Sequence, residues 1–273
     1  MHNFFLGNIP DMPKNRADLI DKNLEFLGKY GACGAFPIGL GPIPVLCMVS
    51  PENIKAVIGS SRHMTKGFLY ESAKLWLGTG LLTSEGTKWK TRRRMITPAF
   101  HFDILKRFLE VMNEQTDILV NKMEEKAQQG PVEAFGLITL CTLDIICETA
   151  MGKKVHAQQT EGRNEYVEAV YLSSKLIIDR ADEPWTMFDW VYDLTAKGKE
   201  NRKVLKILHG FARQVIKERR ELIAREDRTQ PSADGKKFRP AFLDILLTAE
   251  SDGKPLDNED IREEVDTFMF EGK

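Results

Sequence analysis

Residues 88–102 read KWKTRRRMITPAFHF, a stretch that sets five cations around one tryptophan and then turns apolar. In a helix, Trp89 and Arg93 are i, i+4 neighbours, so an indole N–H and a guanidinium project from the same face. Two donors on one face, one of them permanently charged, suit a buried or half-buried anion. The stretch therefore predicts an anion site on one face of a helix.

Composition limits the classes of partner that this site can serve. The chain has 273 residues, with 39 Lys and Arg against 40 Asp and Glu, for a net charge of −1. Nucleic-acid-binding proteins usually show a basic surface overall, so we expect no nucleic-acid partner. The four cysteines lack Cys-x-x-Cys spacing and no histidine cluster accompanies them, which argues against a metal site made by the chain itself. No stretch approaches the roughly 18 consecutive apolar residues of a membrane span, so the sequence as written is soluble or peripheral.

The segment before the basic stretch predicts a hairpin, a short helix and an irregular region. Apolar runs at 35–40 and 43–49 flank a Gly-Pro pair and predict a β-hairpin. Ser50-Pro51-Glu52 predicts a helix start with serine as the N-cap. Glycines interrupt residues 61–87 and predict irregular structure there. The apolar run 75–82 within it must cover something apolar, either core or ligand.

Helical periodicity dominates the remainder of the chain. Apolar residues recur at three- and four-residue spacing over 103–129, and Pro131 is expected in the first turn of the next helix. Further helices are predicted over 161–178, 197–225 and 241–249 and from Asp257 onward, with a polar loop over 226–239 and a turn over 251–255. The pattern predicts roughly eight or nine helices and one hairpin, which is a mainly α fold. We expect a single domain over residues 1–273.

Three segments, in order along the chain, carry a resemblance to a known family. They are WLGTGLLTS at 76–84, Gly86-x-x-Trp89-x-x-x-Arg93 followed by TPAFH at 97–101, and EVDTFMFEG at 264–272. Together they resemble family 4 of the cytochromes P-450, the haem-thiolate monooxygenases. The resemblance implies a truncated cytochrome P-450 fold with a small N-terminal β-hairpin. It would run from helix A to the start of helix I, without the membrane anchor or the C-terminal haem-thiolate region.

The resemblance also implies which residues bind the cofactor. Trp89 and Arg93 would donate hydrogen bonds to a haem propionate, and the arginine contact would be charge-assisted. Glu271 stands where family 4 members often carry a glutamate that can esterify a haem methyl. The alternative for Glu271 is an exposed glutamate at a frayed helix end. The run 75–82 resembles the loop that covers the substrate pocket, and a plain structural lid is the alternative.

Catalytic residues of the family are not expected in this chain. The thiolate that binds iron comes from a Phe-x-x-Gly-x-Arg-x-Cys-x-Gly loop, and none of the four cysteines has that context. The acid-alcohol pair would follow Gly272, where Lys273 replaces the family's histidine. Helices after Pro131 would expose apolar faces, which favours aggregation. The chain by itself is therefore predicted to be unstable and to lack monooxygenase activity.

The resemblance implies a monooxygenase that hydroxylates a lipophilic substrate, typically the terminal carbon of a fatty acid. It would use O2, haem and electrons from an NADPH-dependent reductase, and cations of the Trp89 helix could help to dock that reductase. By family it would lie on the cytoplasmic face of the endoplasmic reticulum membrane, although the anchor is absent from this sequence.

Two other readings of the chain stay open at this point. The first is a truncated, non-catalytic splice product or an incomplete gene model. The second is a helical interaction protein with a basic docking patch. Arg92 and Arg94 lie about 100° to either side of Arg93 on a helix, so we expect them to face solvent or a partner.

Overall fold

The computed structural model describes residues 7–13, 15–40, 43–60, 62–160, 164–183, 186, 188–225, 242–251 and 253–272. The contacts divide the chain into two compact units, residues 1–65 and residues 66–273. Within the described residues, no helix is both long enough and apolar enough to cross a membrane. The expectation of a single domain over 1–273 stays a prediction.

The first unit contains the predicted hairpin between two helices. Its elements are α1 (Leu19–Tyr30), β1 (Ala35–Leu40), β2 (Ile43–Met48) and α2 (Pro51–Ile58). The strands are antiparallel, with Ala35 opposite Met48, which confirms the hairpin. The predicted N-cap is also confirmed, because the Ser50 hydroxyl accepts a hydrogen bond from the Asn53 N–H at 3.2 Å.

The second unit is built almost entirely of helices, which confirms the mainly α prediction. Its elements are α3 (Glu71–Leu77), α4 (Gly86–Ile96), α5 (Phe102–Ala127), α6 (Ala134–Thr149), α7 (Glu165–Asp182), α8 (Asp189–Leu194), α9 (Ala196–Arg225), α10 (Phe242–Thr248), β3 (Glu250–Ser251), β4 (Lys254–Pro255) and α11 (Asn258–Glu271). The described part of the chain thus contains eleven α-helices, a few more than the periodicity predicted.

One of the additional helices, α3, lies within the segment that was predicted to be irregular. Trp76 and Leu77 are only 1% and 0% exposed, so packing against the core outweighs the weak local signal of the sequence. Gly78 follows the helix with φ +56°, a conformation that glycine adopts without steric cost. The prediction of irregular structure over 61–87 was therefore wrong at this point.

The start of α6 also differs from the prediction. Pro131 does not lie in the first turn; the helix begins at Ala134. The Glu133 carboxylate is the N-cap and accepts hydrogen bonds from the N–H groups of Phe135 and Gly136 at 3.0 and 2.9 Å. The segment predicted as a turn over 251–255 overlaps the two short antiparallel strands β3 and β4, and the polar loop predicted over 226–239 lies outside the described residues.

The core of the second unit lies where α3, α6, α7, α9, α10 and α11 meet. Its most buried side chains are apolar and come from helices far apart in the sequence. They include Trp76, Leu77, Leu143, Val170, Leu208, Leu243, Leu246, Val265 and Met269. Burying a side chain of this size contributes about 1.5–3 kcal/mol. The same core fixes α11, which forms one wall of the cleft described below.

Candidate functional site

Helix α4 places Trp89 and Arg93 side by side, as its sequence predicted. The guanidinium carbon of Arg93 lies 5.9 Å from the centre of the Trp89 ring. Trp89 is half-buried, whereas Arg93 is exposed. The two side chains therefore share one helix face, and the arginine is free to reach a ligand.

Arg93 lies at a cleft between α4, the segment before it and α11. The cleft has a volume of about 310 Å³ and is lined by Leu81, Arg93, Ile96, Thr97, Phe100 and Phe268. Trp89 borders Arg93 but is not among the lining residues. Four of the six lining side chains are apolar, one is a hydroxyl and one is a permanent cation, an arrangement that suits an apolar ligand with an anionic edge.

Two of the lining side chains, Phe100 and Phe268, belong to an aromatic cluster. Phe100 stacks on Phe268, with ring centroids 5.7 Å apart and planes inclined by 28°. Phe268 also packs on Phe242 of α10, with centroids 4.0 Å apart. The apolar run 75–82 was expected to cover either core or ligand, and its residues do not all have the same role. Trp76 and Leu77 belong to the core, whereas Leu81 lines the cleft.

The prediction that Arg92 would face solvent or a partner was wrong. It is only 4% exposed, and its Nη2 lies 2.5 Å from the Asp260 carboxylate on α11. Its Nε lies 3.8 Å from Oε1 of Glu264. The physical reason is that α11 presents acidic side chains to this face of α4, and a guanidinium can be buried only beside such partners. Arg94 is exposed, as predicted.

Lys88 extends the ionic contact between the two helices. Its Nζ lies 3.2 Å from both the Asp260 and the Glu263 carboxylates. It also donates to the Thr79 hydroxyl at 2.6 Å, and that hydroxyl donates to Glu263 at 3.0 Å. We call Lys88, Arg92, Asp260, Glu263 and Glu264 the α4–α11 clasp.

Two carboxyl groups of the clasp have shifted pKa values in opposite directions. Burial raises the pKa of Glu264 to about 7, although the Leu81 N–H and the Arg92 and Lys88 charges oppose the shift. Burial also acts on Asp260, but the Arg92 and Lys88 charges outweigh it and hold its pKa below the ordinary value. Sequence reasoning missed these acidic residues. The matching i, i+4 spacing of Lys88 with Arg92 and of Asp260 with Glu264 was the available signal.

A second buried polar network fixes the helix that precedes the cleft. Nη1 of Arg262 donates to the Trp76 carbonyl at 3.1 Å and also bonds to the Asp266 carboxylate. Nε2 of His209 lies 3.0 Å from the same Trp76 carbonyl. Burial raises the pKa of Asp266 to about 7 against the effect of Arg262. This network joins α3, α9 and α11, and so holds the start of the segment that carries Leu81.

Glu271, the third predicted cofactor contact, is exposed at the last residue of α11. It is not among the residues that line the cleft. The structure therefore does not bring it to the cleft beside Arg93, and its role toward haem stays a prediction.

None of the four cysteines is among the residues that line the cleft. Cys33 is exposed and Cys47 half-buried, while Cys141 and Cys147 are buried. Burial raises the pKa of Cys147 to about 12, so this thiol stays protonated at neutral pH. Among the residues that the structure describes, no group of three or more His, Cys, Asp or Glu side chains could hold a metal ion.

The fold and the cleft together define a mainly helical protein whose cleft sets apolar side chains beside one permanent cation. The family model described as Cytochrome P450 matches residues 2–273, and the chain belongs to the cytochrome P450 family. It is 44% identical over 272 residues to cytochrome P450 4V2 of Mus musculus and 45% identical to that of Homo sapiens. It is 39% identical over 279 residues to cytochrome P450 4c3 of Drosophila melanogaster.

The matches cover nearly all of this chain but only part of each relative. Each of the three covers 98% of this chain and 52% of the relative, so the chain spans about half the length of the curated relatives it matches. A crystal structure of the cytochrome P450 CYP102L1 aligns with a TM-score of 0.73 at 20% identity. That alignment covers 91% of this chain and 54% of the other, and it confirms the cytochrome P-450 fold.

Proposed function

We propose that this chain forms the propionate side of the haem site in a family 4 type monooxygenase. The observation that carries the proposal is the position of Arg93, beside Trp89 and on an otherwise largely apolar cleft. Arg93 and the Trp89 indole would hold a propionate, while Leu81 and Phe268 would contact the apolar porphyrin. When bound, haem supplies the iron chemistry that inserts one oxygen atom of O2 into a C–H bond.

The residues fit one edge of the cofactor and do not fit its axial ligand. A thiolate ligand must be deprotonated and must reach the iron, whereas none of the cysteines lines the cleft and Cys147 has a pKa of about 12. We therefore propose that the 273-residue chain alone binds haem weakly and has no monooxygenase activity. Glu271 is proposed as a residue that flanks or tethers haem, and its exposure leaves it accessible.

The proposed substrate is lipophilic, such as a fatty acid hydroxylated at its terminal carbon. This substrate class rests on the similarity of the chain to family 4 relatives. The electrons would come from NADPH through a reductase, and the proposed location is the cytoplasmic face of the endoplasmic reticulum membrane. Both proposals rest on the family to which the chain belongs.

Haem retention tests the proposal in a full-length form of the protein. By full-length form we mean this chain continued by the downstream sequence of its own transcript. If the transcript stops at Lys273, the chain is continued by the C-terminal half of the mouse relative. Arg93→Met is expected to speed haem transfer to an apo-globin acceptor by about tenfold or more, because a hydrogen bond to a charged group contributes about 1.5–3 kcal/mol. Trp89→Phe should have a smaller effect in the same direction.

Arg94→Met is the matched control, since Arg94 is exposed on the same helix. Equal haem loss from the Arg93 and Arg94 variants would contradict the proposed propionate contact.

The two other readings of the sequence are tested differently. A truncated, non-catalytic product would have no downstream thiolate loop in its transcript, so transcript sequencing distinguishes it from an incomplete gene model. The interaction-protein reading relied on a patch of exposed arginines, and the burial of Arg92 weakens it.

A further inference from the structure

Helix α4 carries two sets of functional side chains on adjacent faces. Arg93 lines the cleft and lies beside Trp89 on one face, whereas Lys88 and Arg92 form the face that reaches α11. Each pair has i, i+4 spacing, and the two faces differ by one residue, or about 100° around the helix axis. The rotation of α4 about its axis therefore sets the direction of both pairs at once.

Contacts made by Arg92 leave that rotation little freedom. Its side chain is 5% exposed, and the Glu264 side chain that faces it is 1% exposed. The guanidinium is 2.5 Å from Asp260 and 3.8 Å from Glu264, one helical turn apart on α11. A planar guanidinium between two carboxylates fixes direction as well as distance, which a flexible ammonium does less well.

Glu264 links the same contact to the wall of the cleft. One of its carboxylate oxygens faces Arg92, and the other accepts a hydrogen bond from the Leu81 N–H at 3.0 Å. Leu81 lines the same cleft as Arg93. The clasp therefore holds the cationic side and one apolar side of the cleft against a single helix, α11.

We propose that Arg92 is a positioning residue that holds α4 at the rotation at which Arg93 and Trp89 reach a haem propionate. The inference rests on the proposed function. With side chains, a helix has a radius of about 5–6 Å, so a rotation of 20° displaces a surface atom by about 2 Å. A displacement of this size breaks a hydrogen bond that requires about 2.7–2.9 Å.

Haem transfer from the full-length form to an apo-globin acceptor tests the inference. Arg92→Met is expected to accelerate haem loss by about tenfold, close to the effect of Arg93→Met, because misplacing a binding group by 1 Å or more is costly. Arg92→Lys should restore only part of the retention, since it keeps a cation beside Asp260 but loses the planar guanidinium. Arg94→Met is the control and should retain haem like the wild type.

The double variant Arg92→Met with Arg93→Met separates positioning from independent binding. If Arg92 acts through Arg93, the double variant loses haem no faster than Arg93→Met alone, within about threefold, because the effects of coupled residues are not additive. A double variant whose rate of haem loss rises by the product of the two single effects would overturn the inference. So would an Arg92→Met variant that retains haem like Arg94→Met. If Arg92→Met does not fold, Asp260→Asn replaces it with the same expected outcomes.

Failure of the inference differs from failure of the proposed function. Rapid haem loss from Arg93→Met with normal retention in Arg92→Met refutes only the positioning role. Normal retention in Arg93→Met refutes the propionate contact itself.

Discussion

Gly80→Ala is the sharpest test of the packing that forms the cleft. A Cβ at Gly80 would lie 2.5 Å from Oγ1 of Thr267 and 2.7 Å from the Glu263 carbonyl oxygen on α11. The hydroxyl of Thr267 could give way, but the carbonyl belongs to a helix backbone. The loop would therefore have to retreat, which would draw the Leu81 N–H away from Glu264.

The cost of this substitution has two parts. Overpacking a well-packed site costs about 1–3 kcal/mol, and leaving the Leu81 N–H and the Glu264 carboxylate poorly paired adds about 1–3 kcal/mol. We expect a loss of about 2–6 kcal/mol in the free energy of unfolding, together with faster haem loss from the full-length form.

Urea unfolding of the full-length form, followed by tryptophan fluorescence, measures this loss. Gly210→Ala is the matched control, because no atom lies within 4 Å of the position of its Cβ. Gly210 lies within α9, so its replacement by alanine should stabilise the protein by about 0.5–1 kcal/mol. A Gly80→Ala variant as stable as the wild type would refute the close approach of this loop to α11.

Three further predictions follow from buried polar groups and thiols. The folded-state pKa of Glu264 is about 7 against an ordinary 4.5, so the folded state binds this proton more tightly and stability falls as pH rises from about 5 to 7. When the free energy of unfolding is measured against pH, the wild type should lose up to about 3 kcal/mol relative to Glu264→Gln over this range. A difference in stability between the two proteins that does not change with pH would contradict the prediction. Asp144 accepts from the Ala157 and Gln158 N–H groups at 2.7 and 2.9 Å, so Asp144→Ala should cost about 2–4 kcal/mol in urea unfolding and Asp144→Asn clearly less. A thiol reagent at pH 8 should label exposed Cys33 rapidly and Cys147 only after denaturation, since burial raises the pKa of Cys147 to about 12. Mass spectrometry measures the labelling, and rapid labelling of both thiols in the folded protein would contradict the packing of α6.

Local geometry made part of the site predictable from the sequence. Trp89 and Arg93 are neighbours because any α-helix places i and i+4 on one face. The Ser50 hydroxyl caps α2 by accepting a hydrogen bond from the Asn53 N–H, three residues further on. The hairpin follows from two short apolar runs on either side of a Gly-Pro pair. Each of these features depends on residues a few positions apart.

Features that depend on distant residues could not be predicted in the same way. Arg92 looked like a surface cation, because its partners Asp260 and Glu264 are far along the chain on α11. Helix α3 looked irregular because its stability comes from the burial of Trp76 rather than from local signals. The cleft brings Phe268 of α11 together with Arg93 of α4, a proximity that only the fold creates.

The reduced carbon-monoxide difference spectrum tests the central claim most directly. The claim is that this chain supplies the propionate side of a cytochrome P450 haem site and that the thiolate ligand comes from outside residues 1–273. We expect the Soret band of thiolate-ligated haem from the full-length form and none from the 273-residue chain given the same haem. That band from the 273-residue chain alone would contradict the account, because one of its four cysteines would then have to bind the iron.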